Sequence, residues 1–365
     1  MRKGIRFMQK VIFVTISMRG GGTERVISIL ANRMVKMGYE VTIMMIAESG
    51  IEYELDSRIR CVCVSEATNG SLLGRLERIR NMRKEIKQDC GAYVFGMGTV
   101  ASMFTVMAAF GLKNKVVVSE RNDPNVFNGR PIRGMEEMFR NVLYSRAKYV
   151  VLQTVDTMEC FPDYLHKKCV VIGNPIPDGL PKPGNYEERE KTILDVGRLI
   201  PSKNHQMMIK VFGKFCEKFP EYKLLIFGDG PEKQNLQDLI ETLYLQENVF
   251  LKGFSGSIYK ELKKGGIYVS TSITEGISNS LIEALAMGIP TVATDCPVGG
   301  ARACIRDGEN GFLIRVNDEK QLLERLEKIV SDKQIQEKFS ENSVKVRDYY
   351  SEESISRKWL ELFEK

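Results

Sequence analysis

The sequence predicts an α/β protein made of two doubly wound domains. Short apolar segments rich in β-branched residues alternate with amphipathic segments along the whole chain. This alternation is typical of parallel sheets that helices cover on both faces. A length of 365 residues is generous for one hydrophobic core and suits two.

The predicted strands fall into two sets, separated by a proline-rich segment. The first set is 11–16, 41–46, 93–97, 115–120, 149–154 and 169–174. The second set is 192–197, 223–230, 249–254, 267–272, 290–295 and 311–316. Four prolines in segment 174–190 indicate a linker. We therefore predict one domain over 1–180, a second over 181–346, and a C-terminal helical segment over 347–365.

Composition excludes several classes of protein. The chain is 43% hydrophobic and 27% charged, and no apolar run reaches the roughly 20 residues that span a bilayer. The first apolar segment is short and lacks a cleavage site, which favours a buried strand over a signal peptide. Eight cysteines without a CxxC pair and two histidines predict no zinc site. Cys61 and Cys63 fall on one face of a predicted strand, which predicts buried thiols in a reducing compartment. We therefore expect a cytoplasmic protein.

The net charge of +6 is concentrated in the first half of the chain. Residues 1–180 contain 26 Lys and Arg against 18 Asp and Glu, whereas residues 181–365 contain 27 against 29. A basic first half favours an anionic partner there, such as a membrane surface or a phosphate-bearing substrate. An ordinary solvated surface explains the same counts.

Glycine-rich turns follow the first strand of each predicted domain. Gly21 and Gly22 precede a helix whose apolar positions recur on one face, and such a turn presents backbone N–H groups to an anion. A tight turn without a ligand is the alternative. In the second domain, Gly197 is followed by Arg198 and Lys203, two cations that suit a diphosphate. A solvated surface pair is the alternative reading.

The segment TSITEGISNSLIEALAMGIPT carries two carboxylates around a helix start. Glu275 precedes the helix, Ser278 is a good N-cap, and Glu283 lies one turn inside. The free N–H groups of Ser278, Asn279 and Ser280 would face an anion or sugar hydroxyls. An ordinary capped helix with a surface glutamate is the alternative.

Taken in order, GGTE, NPI, DVGRL…KN, IFGDGPE, LKGF, TEGISNSLIEALAMGIPTVATDCPVGG and DGENGFL resemble the retaining glycosyltransferase family 4. The resemblance covers essentially the full chain. It implies the GT-B fold, in which two Rossmann-like domains face each other across a cleft, with the C-terminal helix crossing back to the first domain. It also implies a nucleotide-sugar donor, UDP-linked, and no metal or other cofactor.

The resemblance also implies residue roles. Glu275 would face the donor sugar near the anomeric centre, and Glu283 would hold the ribose hydroxyls. Arg198 and Lys203 would neutralise the diphosphate as it leaves. The remaining donor-binding positions are Gly21, Gly22, Gly197, Gly228, Gly253, Phe254, Gly276, Ile277, Ser278, Asn279 and Ser280.

The acceptor side departs from many relatives. They carry a first-domain histidine, but the histidines here are His166 and His205, and ERNDP follows the strand KVVVS instead. This resembles the members that extend bacterial lipid-linked or capsular glycans, and it implies that Arg121, Asn122 and Asp123 line the acceptor side. A strand-end turn stopped by Pro124 is the alternative.

The most basic segment is SLLGRLERIRNMRKEIKQ, residues 71–88. Leu72, Leu76, Ile79 and Met82 follow helical spacing among arginines and lysines, which is typical of a helix on anionic lipid. Arg133, Arg140 and Arg146 could extend that face. The alternative is an outer helix whose apolar side packs on the sheet.

We therefore expect a metal-independent, retaining hexosyltransferase that acts on a growing lipid-linked surface polysaccharide. The alternatives are transfer to a soluble acceptor, a nucleotide-sugar 2-epimerase of the same two-domain plan, and a nucleotide-sugar-binding protein without catalysis. The scarcity of histidine and the two spaced glutamates argue against the epimerase. Glu275, Arg198 and Lys203 together argue against a binding protein.

Overall fold

A computed structural model of the chain describes residues 9–65, 72–127, 130–131, 133–255 and 258–364. The chain divides into two compact units. Unit 1 comprises residues 1–175 and 352–365, and unit 2 comprises residues 176–351. Each unit is a parallel sheet with helices around it, which confirms the predicted fold class of two doubly wound α/β domains.

The sheet of unit 1 has the strand order β3-β2-β1-β4-β5-β8-β9, and all of these pairs are parallel. Its strands are β1 (Lys10–Thr15), β2 (Glu40–Met45), β3 (Arg60–Cys63), β4 (Tyr93–Met97), β5 (Lys115–Ser119), β8 (Tyr149–Leu152) and β9 (Cys169–Val171). A short antiparallel pair, β6 (Val126–Phe127) and β7 (Arg130–Pro131), lies outside this sheet. The helices are α1 (Gly22–Lys36), α2 (Leu72–Gln88), α3 (Thr99–Ala109), α4 (Met135–Tyr144), α5 (Asp163–His166) and α13 (Glu352–Glu364).

The sheet of unit 2 has the strand order β12-β11-β10-β13-β14-β15, again all parallel. Its strands are β10 (Thr192–Val196), β11 (Lys223–Phe227), β12 (Val249–Gly253), β13 (Ile267–Ser270), β14 (Thr291–Thr294) and β15 (Phe312–Ile314). The helices are α6 (His205–Lys218), α7 (Lys233–Thr242), α8 (Ile258–Lys264), α9 (Asn279–Ala286), α10 (Glu319–Ser331), α11 (Lys333–Ser343) and α12 (Val346–Tyr350).

Burial explains why the central strands are apolar at consecutive positions. In β1, residues from Val11 to Val14 are at most 1% exposed, because helices cover both faces of a parallel sheet. In unit 1 the C-terminal α13 closes part of one face, where the ring of Phe363 lies 4.4 Å from the ring of Tyr93. Trp359 on the same helix is fully buried against Phe95.

The prediction that Cys61 and Cys63 are buried is wrong. Cys61 is exposed and Cys63 is partly buried, because β3 is the edge strand of its sheet and lacks a neighbour on one side. All eight cysteines are free thiols. Among the described helices, none is long and apolar enough to cross a bilayer.

The apolar side of α2 also differs from the prediction. Met82 and Ile86 are fully buried, and they define the face that packs on the sheet. Leu76 was expected on that face but is 54% exposed, and Leu73 is 78% exposed. The burial of Leu72 lies outside what the structure describes. The helix therefore packs through its C-terminal half and exposes leucines in its N-terminal half.

Candidate active site

The carboxyl ends of the strands in unit 2 are joined by direct backbone packing between glycine turns. A Cβ on Gly228, whose φ is +141°, would lie 1.9 Å from the carbonyl oxygen of Gly197, and one on Gly230 would lie 2.4 Å from that of Leu199. Gly228 also donates its N–H to the carbonyl oxygen of Gly253 at 2.8 Å. Gly228 was predicted to bind the donor, but the space beside Gly228 and Gly230 is filled by neighbouring backbone.

Lys203 and Glu275 form the central ion pair of this site. The Nζ of Lys203 lies 2.6 Å from each carboxylate oxygen of Glu275, and the two side chains are 17% and 19% exposed. The hydroxyl of Ser272 donates to Oε2 of Glu275 at 2.8 Å. The stem of Lys203 packs beside Gly197, whose missing side chain leaves it room. The structure thus brings together three predicted residues, Gly197, Lys203 and Glu275.

Backbone contacts hold the two loops that carry this pair. The hydroxyl of Thr271 donates to the carbonyl oxygen of Lys203 at 3.0 Å, and the N–H of Ile273 donates to that of Ser202 at 2.8 Å. Thr294 on β14 donates to the carbonyl oxygen of Ser272 at 2.5 Å. The ion pair therefore lies on a framework fixed by β13 and β14. Arg198, in contrast, is exposed and makes no ion pair among the described residues.

The predicted N-cap of α9 is confirmed. Ser278 has extended backbone angles, and its side chain accepts a hydrogen bond from the N–H of Leu281. The hydroxyl of Ser280 donates to the carbonyl oxygen of Val196 at 2.8 Å and also contacts the hydroxyl of Tyr268. The side chain of Ser280 therefore ties the helix start to the sheet, and its backbone is the part left for a ligand.

The two glutamates of the TSITEGISNSLIEALAMGIPT segment have different surroundings. Glu275 lies at the partly open strand end, whereas Glu283 is 2% exposed and its Oε1 lies 3.4 Å from the hydroxyl of Tyr259. A surface glutamate, the alternative reading, is therefore wrong for Glu283. Two further predicted positions differ in accessibility, since Ile277 is 4% exposed and the ring of Phe254 is 80% exposed.

Gly276 is constrained by a second loop. A Cβ on Gly300 would lie 1.9 Å from the carbonyl oxygen of Gly276, so the segment after β14 packs directly against the turn that follows Glu275. This contact explains Gly300, and Gly299 has a φ of +66°, which favours glycine there.

The glycine turn of unit 1 is surrounded by acidic side chains. Glu52 accepts a hydrogen bond from the N–H of Gly20 at 2.9 Å, and a Cβ on Gly21 would lie 2.1 Å from Oε2 of Glu24. The hydroxyl of Tyr53 donates to the carbonyl oxygen of Gly21 at 2.7 Å. Gly22 is the first residue of α1. An anion at this turn would have to displace or rearrange these carboxylates.

The ERNDP segment contains a buried polar cluster at the carboxyl end of β5. Glu120 is 1% exposed and accepts hydrogen bonds from the hydroxyls of Tyr144 and Thr99, the latter at 2.7 Å. Burial raises the pKa of Glu120, and the two hydrogen bonds oppose that rise. The sequence analysis named the three residues after Glu120 as acceptor-side residues, but it did not name Glu120 or Tyr144 as members of a site. The position of Glu120 directly after a buried strand was the available signal.

The three predicted acceptor-side residues differ in exposure. Arg121 is 5% exposed and Asp123 is 8% exposed, whereas Asn122 is exposed. Asp123 accepts the N–H of Asn125 at 2.9 Å, which is the turn expected before Pro124.

Two polar residues were misread or missed. Arg140 was predicted to extend a basic face but is 1% exposed, because it bonds the carbonyl oxygens of Pro124 and Cys160 and covers the ring of Phe161. His205, the first residue of α6, has its Nε2 2.8 Å from Oδ2 of Asp195 on β10, and both side chains are buried. The sequence gave no spacing signal for that contact.

No group of three or more His, Cys, Asp or Glu residues that could hold a metal ion occurs in the described residues. Metal independence stays a prediction.

Comparison with known proteins shows what the second half of the chain resembles. Residues 180–346, which contain the Lys203–Glu275 pair, match the family model described as glycosyl transferases group 1. This part of the chain is therefore similar to the glycosyltransferases of that family. This confirms the resemblance stated from the sequence, and the enzyme class with it.

Two bacterial relatives match over nearly the whole chain. The chain is 26% identical, over 96% of its length and 99% of the relative's, to an uncharacterised glycosyltransferase of Haemophilus influenzae. It is 28% identical to the N-acetylgalactosamine-N,N'-diacetylbacillosaminyl-diphospho-undecaprenol 4-alpha-N-acetylgalactosaminyltransferase of Campylobacter jejuni, over 93% and 95% of the two chains.

A solved structure gives the fold class. Anabaena HepE in complex with UDP and glucose superposes with a TM-score of 0.83 at 18% identity, covering 98% of this chain and 99% of that one. The chain therefore has the GT-B fold.

Proposed function

We propose that this glycosyltransferase transfers a hexose-type sugar from a UDP-linked donor to a growing lipid-linked surface polysaccharide, with retention of anomeric configuration and without a metal. The observation that carries the proposal is the ion pair of Lys203 and Glu275, fixed beside the start of α9. The Campylobacter relative is named for a diphospho-undecaprenol acceptor, and HepE was solved with UDP and glucose. These names support the acceptor class and the donor, respectively.

The geometry suits a leaving diphosphate. Lys203 supplies a fixed cation, Arg198 supplies a second exposed one, and the N–H groups at the start of α9 add a partial positive charge. When the anomeric C–O bond breaks, the electron pair remains on the diphosphate, and these groups stabilise the new charge. This is the chemistry that a metal ion supplies in other transferases.

Glu275 has two tasks in this proposal. Without a donor it neutralises Lys203, and with a donor bound its carboxylate stabilises positive charge that develops at the anomeric carbon. The acceptor hydroxyl then forms the new bond on the face that the diphosphate leaves, and its proton passes to a departing phosphate oxygen. Glu283, which is buried on α9, holds the ribose hydroxyls.

A surface of unit 1 supports a lipid-linked acceptor. We define the α4 stripe as Met135, Met138, Phe139 and Val142, which recur at helical spacing and are each 47–81% exposed. A stripe of this kind normally faces a core or a partner. The helix α3 contacts both α2 and α4, so the exposed Leu73 and Leu76 lie on the same helical layer.

The charges around this layer favour anionic lipid as its partner. Exposed cations lie along α2 and just before and after α4: Arg75, Arg80, Lys84, Lys87, Arg133 and Arg146. Exposed apolar side chains on helices that also carry cations match a membrane surface, where each cation contributes about 1 kcal/mol near anionic headgroups. We therefore assign membrane docking to α4 together with the exposed start of α2, on the cytoplasmic face of the membrane.

Two measurements test the proposed function. A thermal-shift screen of nucleotide sugars should show the largest stabilisation with a UDP-linked hexose, since a bound ligand raises the melting temperature in proportion to affinity. Transfer to a polyprenyl-diphosphate glycan should then fall about a hundredfold or more in Glu275→Ala while UDP binding survives. Full transfer activity in that variant would remove Glu275 from the mechanism.

A further inference from the structure

Arg121 is held in an unusual position at the carboxyl edge of the unit 1 sheet. It follows β5, and its Nη2 donates to Oδ1 of Asn174, which lies beyond β9. Gln153, beyond β8, donates its Nε2 to the same oxygen at 2.6 Å. Three neighbouring strand ends thus place one amide oxygen between two donors and fix the guanidinium beside it.

The charge of Arg121 has no counterpart in the described residues. Its Nε and Nη1 atoms are buried and make no hydrogen bond there, and no carboxylate pairs with it. The neighbouring Glu120 is bonded to Tyr144 and Thr99 instead. Burial is the cause that lowers the pKa of Arg121, to about 10, so the group stays cationic at neutral pH.

A buried cation without a partner is costly. The penalty for taking one ion out of water is several kcal/mol even after the protein relaxes, so such groups are normally paired. Guanidinium N–H groups pair best with phosphate and carboxylate oxygens. Ligands of open α/β sheets bind beyond the carboxyl ends of the strands, which is where Arg121 lies.

We propose that Arg121 binds an anionic oxygen on the acceptor, with Asn174 and Gln153 as positioning residues. The inference rests on the proposed function only for the identity of this ligand as the acceptor. Two sources carry the required chemistry, namely a phosphate of the carrier lipid and the carboxylate of an acidic sugar. The donor diphosphate is assigned to Arg198 and Lys203 of unit 2, so Arg121 serves a different anion.

The test measures the melting temperature of the full chain with inorganic phosphate, glucuronate or neutral glucose. Saturating UDP is present, so that the donor cations are occupied. We expect phosphate or glucuronate to stabilise the wild type and glucose to have no effect. A response to phosphate alone identifies a phosphate-bearing acceptor, and a response to glucuronate alone identifies an acidic sugar. Absence of both responses in the wild type overturns the inference.

Two variants separate binding from structure. In Arg121→Gln the anion response should disappear, and the ligand-free melting temperature should not fall, since an uncompensated charge has been removed. In Asn174→Asp the new carboxylate should pair with Arg121, which raises the ligand-free melting temperature and also abolishes the response. An unchanged response in either variant, or a loss of stability in both, would mean that Arg121 is a structural cation.

The matched control is Arg357→Gln, which removes an exposed arginine of the same unit and should leave every response unchanged. Failure of the proposed function is distinguishable from failure of this inference. The proposed donor site fails if UDP does not stabilise the wild type, and the phosphate and glucuronate responses are then measured without UDP.

Discussion

Replacement of Glu275 by glutamine should tighten UDP binding while it lowers the rate of transfer. In the free protein the carboxylate lies 2.6 Å from Nζ of Lys203, so an incoming diphosphate competes with Glu275 for the same cation. Glutamine keeps the shape and the hydrogen bond from Ser272 but removes that competition. A substitution that improves ground-state binding and impairs the chemical step is the signature of a group that acts in the transition state.

The size of the effect follows from the geometry of the pair. Two unit charges about 3 Å apart attract by roughly 5 kcal/mol at an effective dielectric constant of 20, before desolvation is subtracted. At 17% and 19% exposure the pair lies between the surface and buried cases, for which the net coupling is about 1–3 kcal/mol. If half of this, about 0.5–1.5 kcal/mol, is returned to UDP, the Kd falls about twofold to tenfold, since tenfold corresponds to about 1.4 kcal/mol.

Titration calorimetry with UDP measures the Kd, and single-turnover kinetics with a UDP-hexose measures transfer. Lys203→Ala should weaken UDP binding by about tenfold to a hundredfold, since it removes the cation itself. The control is Glu324→Gln, which breaks an exposed Lys–Glu pair on α10 with Nζ 3.9 Å from Oε1 and should change neither quantity. Weaker or unchanged UDP binding in Glu275→Gln would refute the competition.

Three further outcomes are expected. Gly228→Ala should lower the free energy of unfolding by roughly 2–4 kcal/mol in chemical denaturation, because φ is +141° and the new Cβ meets the carbonyl of Gly197. The control is Gly179→Ala, whose Cβ meets open space and which should change the free energy of unfolding by less than about 0.5 kcal/mol. Equal effects in the two variants would contradict the packing argument. The folded-state pKa of Glu120 is raised above its usual 4.5, so the free energy of unfolding should decline as pH rises from 4.5 through that raised pKa. Glu120→Gln should flatten this decline. An unaltered dependence of the free energy of unfolding on pH in that variant would show that Glu120 is not its source. The protein should co-sediment with anionic liposomes at low salt, and the double variant Met138→Ser, Phe139→Ser should bind them about tenfold more weakly. The control double variant Leu243→Ser, Tyr244→Ser removes exposed apolar side chains of unit 2 and should bind like the wild type. Binding that resists both high salt and the α4 variant would place the membrane contact elsewhere.

The local pattern of the sequence was sufficient for the fold class and for several elements of the proposed donor site. The strand ends are close to the predicted ones because apolar runs are bounded by glycine, proline or charge. Ser278 was recognisable as an N-cap from the residue type and the helix that follows. Lys203 and Glu275 were both singled out, but 72 residues separate them, and no periodicity links residues so far apart.

Exposure was the property that sequence reasoning judged least well. The local pattern predicts that Cys61 and Leu76 are buried, yet both are exposed. Cys61 lies on an edge strand, and Leu76 lies near the uncovered start of α2. Arg140 read as a surface cation but is buried against Phe161. Burial depends on what other parts of the chain cover, and a local pattern does not contain that information.

The sequence by itself determined that this protein has two doubly wound α/β domains, and it singled out the residues of the proposed donor site, because strand periodicity, caps and turn glycines are local properties. Only the tertiary structure decided which charges meet. It paired Lys203 with Glu275, buried Glu283 beside Tyr259, and turned Glu120 towards Tyr144. It also left Arg121 as a buried cation among three strand ends. Electrostatic partners are chosen by distance in the folded chain, and that distance is set by sheet order.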